Sequence, residues 1–226
     1  PIRATDPISG QDWQVLNLQA DNEGRFAFEG AGTEAQTADP GPWLAGDFTL
    51  SLRFRSTALG GRQTLVTAVE PGTDNVALLI ELDSTHGLRV LLRDPPGHAG
   101  GESRFFPFKP GTGTHHLVLR RQGGMAELWL DGRKLGDLPA GELGGQDLTL
   151  ALGRLFPGIA QRVFIGELAD FAIFDQALSP AEMDALSQGP NAVEARPILA
   201  LGDLAIDAGA AARIVETIEV TPEVIT

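Results

Sequence analysis

Three groups of side chains in this sequence are spaced so that they could act together. The first is the carboxylate pair in "IELDSTHG". Glu81 and Asp83 stand two apart, so on a strand they share a face and converge on one substrate. Two carboxyls about 5 Å apart, one nucleophile and one acid, are what retaining glycoside hydrolysis requires. No third carboxylate follows, because Thr85 and His86 hold the next positions, and the stretch reads equally as a strand end turning at Asp83 and Ser84. Glu127, on a different strand, is the other acid that could complete such a pair.

The second group is aromatic. In "MAELWLDG", Trp129 alternates with Glu127 and Asp131, opposite Leu128 and Leu130. On an exposed face Trp129 would stack on a sugar ring; on a buried face it would be core. The sequence leaves both readings open. "GGESRFFPFKPG" offers Arg104, Phe105, Phe106 and Lys109 within the Gly/Pro-rich excursion 94–113, and long loops carry function disproportionately. The same "RFFPF" also reads as an edge strand that Pro107 protects from pairing.

The third group is oxygen-rich loops. "TADPG" (37–41) offers Asp39 beside Trp43, and "EPGTDN" (70–75) offers Glu70, Asp74 and Asn75. Calcium takes roughly six to eight oxygen ligands, so Asp39, Asp74 and Asn75 are the metal candidates and Ca2+ the cofactor they would suit, structural or ligand-bridging. Neither loop resembles an EF-hand, and each also reads as an ordinary Asx turn. Other chemistries are poorly served. His115 and His116 are adjacent on a strand and point to opposite faces, while His86 and His98 sit in turns, which disfavours zinc. The chain has no Cys, which excludes disulfides, thiolate metal sites and thiol nucleophiles. "GTGTHH" lacks the Gly-Lys-Ser/Thr of a phosphate loop, and no nucleophile elbow is present. No residue is assigned a catalytic role.

These residues must be positioned by strands. "GDFTLSLRFRS" (46–56) alternates Phe48, Leu50, Leu52 and Phe54 with polar residues, and predicts a strand with one buried face. "GRFAFEG", "QTLVTAV", "NVALLIELD", "GLRVLLRD", "LTLALGR" and "RVFIGELADFAIF" read as further strands separated by turn residues, and "THHLVLRRQGGMAELWLDG" as a hairpin. One helix stands out. Ser179 caps it, Pro180 suits its first position, Glu182 completes a capping box, and Gly189 and Pro190 stop it. Met183 and Leu186 would lie on the sheet, and the helix would close an open end of the core. Residues 1–190 thus form an all-β antiparallel sandwich or jelly roll with one short C-terminal helix. Residues 191–226 form an acidic extension, either a linker or an added strand, with "RIVETIEVTPEVIT" strand-like in composition.

The closing segment "GELADFAIFDQALSPAEMDAL" carries a resemblance. Gly166, Leu168, Asp170, Phe171, Ile173, Phe174, Ala177, Leu178, Ser179 and Glu182 fall on the final-strand signature of laminin-G-like domains of the concanavalin A-like lectin/glucanase superfamily. "GDFTLSLRFRS", "THHLVLRRQGGMAELWLDGRKLG" and "LTLALGR" resemble the preceding pieces in the same order, so the likeness covers about residues 24–188. Thr114 stands where the family hairpin has Trp, Trp129 where it has Tyr, and Ala169 where it has a first acid. Glycosidases of the superfamily resemble one another in an E-x-D-x-E or E-x-D-x-x-E strand, of which "IELDSTHG" holds only Glu81 and Asp83.

The resemblance implies a noncatalytic carbohydrate-binding or adhesion module, and the chemistry of the residues, not the family motif, makes Trp129, Glu127, Arg104, Phe106 and Trp43 the ligand-binding candidates. The alternatives are a structural or protein–protein module of a surface or virion assembly, and a glycosidase. Partners would be a glycan or an extracellular or cell-surface protein. A net charge of −13 disfavours nucleic acid and anionic membrane surfaces, and no apolar run is long enough to insert in a bilayer. Pro1 is not a translation start, so the chain reads as processed or as an excerpt of a longer extracellular or surface protein.

Overall fold

The computed structural model describes residues 2–58, 60–98, 102–109, 111–141, 143–202 and 205–206. The strand-like tail "RIVETIEVTPEVIT" lies outside the described residues. The N-terminal stretch, mixed in composition, yields β1 (Ile2–Thr5), β2 (Asp12–Leu16), β3 (Phe26–Glu29) and β4 (Glu34–Thr37). The period-2 runs then form β5 (Phe48–Ser56), β6 (Arg62–Val69), β7 (Val76–Asp83) and β8 (Gly87–Leu92). After β9 (Glu102–Phe106) come β10 (His115–Gln122), β11 (Met125–Leu130), β12 (Arg133–Pro139), β13 (Thr149–Leu152) and β14 (Ile165–Phe174). Helix α1 (Pro180–Ala185) precedes β15 (Leu199–Leu201) and β16 (Ala205–Ile206).

Two antiparallel sheets result. One runs β16-β1-β2-β4-β13-β6-β7-β8-β9; the other runs β12-β11-β10-β5-β14-β15, with β3 also paired to β14. Phe48, Leu50, Leu52 and Phe54 point inward from β5, and Leu78, Ile80 and Leu82 meet them from β7 in one continuous core. Trp13, fully buried, ties the two sheets: its Nε1 donates to the Ala200 carbonyl at 2.7 Å. Added strand β15 therefore belongs to the sandwich, past the boundary placed at residue 190. Two-residue turns of positive-φ pairs, Gly123–Gly124 and Asp131–Gly132, join β10 to β11 and β11 to β12, as type I′ hairpins require.

Strand β14 departs from strict alternation. Between Ala169 and Ala172 it carries one residue more than its partner β5, and Asp170 there has φ 51°. Leu168, Phe171 and Ile173 face inward, while Ala172 and Phe174 face out. The chain leaves β14 on that outer face, and this corrects the placement of the helix. Helix α1 does not close an end of the core. It lies on the outer face of the seven-stranded sheet, where Met183, Leu178 and Leu186 cover Val118, Ala172, Phe174 and Ala200 in a second small core.

The cap is formed as the sequence implies: Ser179 accepts from the Glu182 N–H, and Glu182 accepts from the Ser179 N–H. That hydrogen bonding holds the Glu182 carboxyl below its ordinary range. Ser179→Ala is expected to cost about 1 kcal/mol, read as a lowered urea midpoint at unchanged slope.

Candidate functional site

Helix α1 and the sheet beneath it enclose a cleft of about 320 Å³. Its far wall is one helical stripe: Pro180, Met183, Asp184 and Ser187 stand at i, i+3, i+4 and i+7. Its floor comes from the outer faces of β10 and β11, where Val118 and Trp129 are cross-strand partners beside His116 and Asp131. Trp129 is neither core nor a fully exposed platform. Leu128 and Leu130 take the inward positions, and Trp129 lies half-buried against the second core.

The cleft is acidic and ordered. Asp131 Oδ1 accepts from the His116 N–H at 2.9 Å, and its Oδ2 sits 2.8 Å from His115 Nδ1. His116 Nε2 is hydrogen-bonded to Ser51 Oγ at 2.9 Å. Burial pushes the His116 imidazole below its ordinary value, the Arg53 guanidinium adds to this, and Asp131, Asp170 and Asp184 oppose it. The balance favours the neutral ring over the charged one. Arg53 is itself tied to Asp170, whose bulge sets it on this face. Ser51 is fully packed, so the Ser51–His116 pair is not an accessible nucleophile and base.

Glu127 joins the cleft through Trp129, accepting from the indole Nε1 at 3.3 Å. It also accepts from Lys134 at 2.8 Å and Arg120 at 3.1 Å. Lys134 is the main reason its carboxyl stays below the ordinary range. Glu127 thus orients the indole.

The other predicted site residues lie elsewhere. Phe106 is 1% exposed and packs in the main core, which removes it as a surface contact; strand alternation turns Phe105 outward instead. Arg104 lies over the Phe106 ring at 5.3 Å and donates to the Asp137 carbonyl, closing β9 onto β12. Trp43 packs half-buried against the core, hard against Gly41. Asp39 is exposed and pairs only loosely with Arg3, at 3.8 Å. Asn75 donates to Glu70 at 2.8 Å, and its N–H bonds Thr73 Oγ1, so the 70–75 loop satisfies itself as a turn with Asp74 exposed. Among the described residues no three His, Asp or Glu side chains gather in one place as a group that could hold a metal ion.

The carboxylate pair is likewise accounted for. Glu81 and Asp83 do share a face of β7, but it is the outer face of the nine-stranded sheet, whereas Glu127 is on the outer face of the other sheet. The sandwich core separates them, so they cannot flank one bond. Glu81 accepts from Arg162 at 2.8 Å and Arg89 at 3.2 Å. Asp83 is opposed by burial, yet the His86 and Thr85 N–H groups and Arg62 hold its carboxyl well below the ordinary range. A depressed carboxylate stabilises the fold above its unfolded value, about 3.9, and the gain fades as pH falls below that. The stability gap between the parent protein and Asp83→Asn is therefore expected to be constant from pH 5 to 7 and to close in acid, as read by urea midpoints.

Asp184 and His116 are the cleft residues that spacing alone did not single out. The signal for Asp184 was present: once the capping box fixes Pro180 as the first helical residue, Met183 must point down and Asp184 must border it.

A laminin-G family model, described as the Concanavalin A-like lectin/glucanases superfamily, matches residues 28–184. No curated protein matches the chain. Among solved structures it is similar to a heptameric SAP-like pentraxin from Limulus polyphemus, at 15% identity and TM-score 0.62 over 81% of this chain and 91% of that one. It is also similar to the botulinum neurotoxin serotype D ligand binding domain in complex with N-acetylneuraminic acid, at 14% identity and TM-score 0.62 over 82% and 49%. The binding domain of botulinum neurotoxin DC in complex with rat synaptotagmin II gives 13% and 0.62 over 85% and 51%. The chain thus spans about half the length of those toxin domains, and identities this low establish the fold alone. With the bulged final strand, the capped helix and the two packed sheets all falling inside the matched span or beside it, the chain belongs to the concanavalin A-like lectin/glucanase superfamily.

Proposed function

We propose that this chain is a noncatalytic glycan-binding module of an extracellular or surface protein, and that the cleft under α1 holds one sugar ring. The observation that carries the reading is Trp129: an indole half-exposed in an acid-lined cleft, oriented through its own N–H by Glu127. The apolar face of a sugar would lie on the indole, and its hydroxyls would donate to Asp131 and Asp184. A cleft of about 320 Å³ sits at the small end of ligand pockets, which fits one ring held at a chain end. The toxin-domain neighbours, one in complex with N-acetylneuraminic acid, are in keeping with a binding role. So is the engagement of Glu81 and Asp83 by arginines, which ties up the carboxylate pair that the sequence offered for glycosidase chemistry. No described helix is long and apolar enough to cross a membrane.

The test is a glycan array with the purified chain and with Asp184→Asn, each with calcium and with a chelator. Binding to a defined neutral glycan is expected in both media, weakened roughly tenfold by Asp184→Asn, the worth of one charge-assisted hydrogen bond. Calcium-dependent binding would move the site to the loops at 37–41 and 70–75. No binding by a folded sample in either medium would overturn the reading and leave the protein–protein role.

A further inference from the structure

We infer a second ligand site on the opposite side of the molecule, the outer face of the nine-stranded sheet: Arg62, Arg89 and Arg162 bind the anionic group of an acidic saccharide, with its ring against Phe105. Thr64, Glu81, Arg89 and Phe105 are consecutive cross-strand partners on β6, β7, β8 and β9, so their side chains form one row on one face. Their neighbours Leu82, Leu88 and Phe106 point inward. Phe105 ends the row on an edge strand, 37% exposed. The Arg89 and Arg62 guanidiniums lie 5.6 and 6.0 Å from its ring centroid, and the His86 ring 5.0 Å away. An exposed aromatic ringed by cations is poorly suited to core packing and well suited to stacking.

Glu81 organises the patch. Its side chain is fully buried, although its strand neighbour Leu79 and Leu91, the cross-strand partner of Leu79, build an apolar cluster on the same face. An apolar residue would serve stability as well as a buried ion pair does. What Glu81 adds is position: it holds Arg89 and Arg162 side by side, each through Nη1. Arg162 does so from a left-handed backbone, φ 48°, which a non-glycine residue adopts only at a cost. Asp83 holds Arg62 in the same way, through Nε. Each guanidinium has five N–H groups. Among the described residues, those of Arg62 and Arg162 beyond these contacts have no protein partner.

Three guanidiniums against two carboxylates leave this patch net positive within a chain of net charge −13. That contrast selects the ligand. A long polyanion would meet repulsion from the rest of the surface, whereas a single carboxylate or sulfate on a sugar would meet only the patch. Arginine forks match the oxygens of either group.

The experiment is isothermal titration of the folded chain at low and physiological salt. Its probes are a tetrasaccharide with one terminal hexuronate, a tetrasaccharide with a single sulfate and the carboxyl-reduced neutral counterpart of the first. At least one acidic probe is expected to bind and the neutral one to be rejected at this face, with affinity falling as salt rises. The uronate and sulfate arms decide which anion fits. Arg62→Gln and Phe105→Ala, both at exposed positions, are each expected to weaken acidic binding about tenfold. Trp129→Ala should leave it unchanged. Failure of both acidic probes to bind, or binding indifferent to Arg62→Gln and Phe105→Ala, overturns the second site. Loss of neutral-glycan binding alone overturns the cleft and not this patch.

Discussion

Gly166→Ala is expected to abolish the stable fold. A Cβ at Gly166 would stand 2.1 Å from the Arg55 carbonyl oxygen and 2.8 Å from Phe164, at φ 153°, where side chains are strained whatever the space. Neither neighbour can move away cheaply. Gly166 pairs with Ser56 on one side and Phe28 on the other, so β14 is pinned between two strands there. Overpacking and backbone strain of this kind add to about 4 kcal/mol, comparable with the whole stability of many domains. Gly32→Ala, where nothing lies within 4 Å, is the control and should be near neutral. Chemical unfolding of the two variants checks the contrast, and a folded, cooperative Gly166→Ala protein would refute it. The glycine that opens the final-strand signature is thus there because the β5 backbone at Arg55 and the Phe164 ring leave no room for a side chain.

The second large effect concerns binding. Trp129→Ala should reduce affinity for the cleft's glycan by about 30-fold, the equivalent of roughly 2 kcal/mol for a stacking anchor. Stability should fall by only about 1–2 kcal/mol, because the indole is half-buried and Glu127 keeps Lys134 and Arg120 after it is gone. Trp13→Ala supplies the comparison. That side chain is fully buried and bonds across the sheets, and its loss should cost about 3–5 kcal/mol. If Trp129→Ala proved as damaging as Trp13→Ala, the residue would be core and the cleft would lose its floor. Circular dichroism melts alongside the binding assay separate the cases.

Particular residues show how far the sequence could be read. The alternation in β5, the hairpin of β10 and β11 and the capping box at Ser179 are local features, and each formed as its spacing implied. So did the face shared by Glu127, Trp129 and Asp131. What spacing does not carry is what covers a face. Whether Trp129 was core or surface depended on the side of the sheet to which α1 returns, some fifty positions later. The partner that disarms Glu81 is Arg162, 81 positions away. Phe105 and Phe106 differ by one residue in phase, and only the register of β9 on β8 decides which is buried. The loop at 70–75 had the right atoms for a metal, but Glu70 and Asn75 are tied to each other and to Thr73 in a local turn.

The bulge in β14 has a consequence of parity. An ordinary strand counts in twos, so every residue added or removed exchanges its inward and outward sets. Asp170 is the one position that the ladder does not count, since two residues there oppose one on β5. A residue can be carried at 170, or lost from it, without turning Phe171 and Ile173 out of the core. Position 170 is therefore where this strand can change the chemistry of its surface independently of its packing. In this chain the uncounted position holds the acid that ties Arg53 beside His116 at the edge of the cleft.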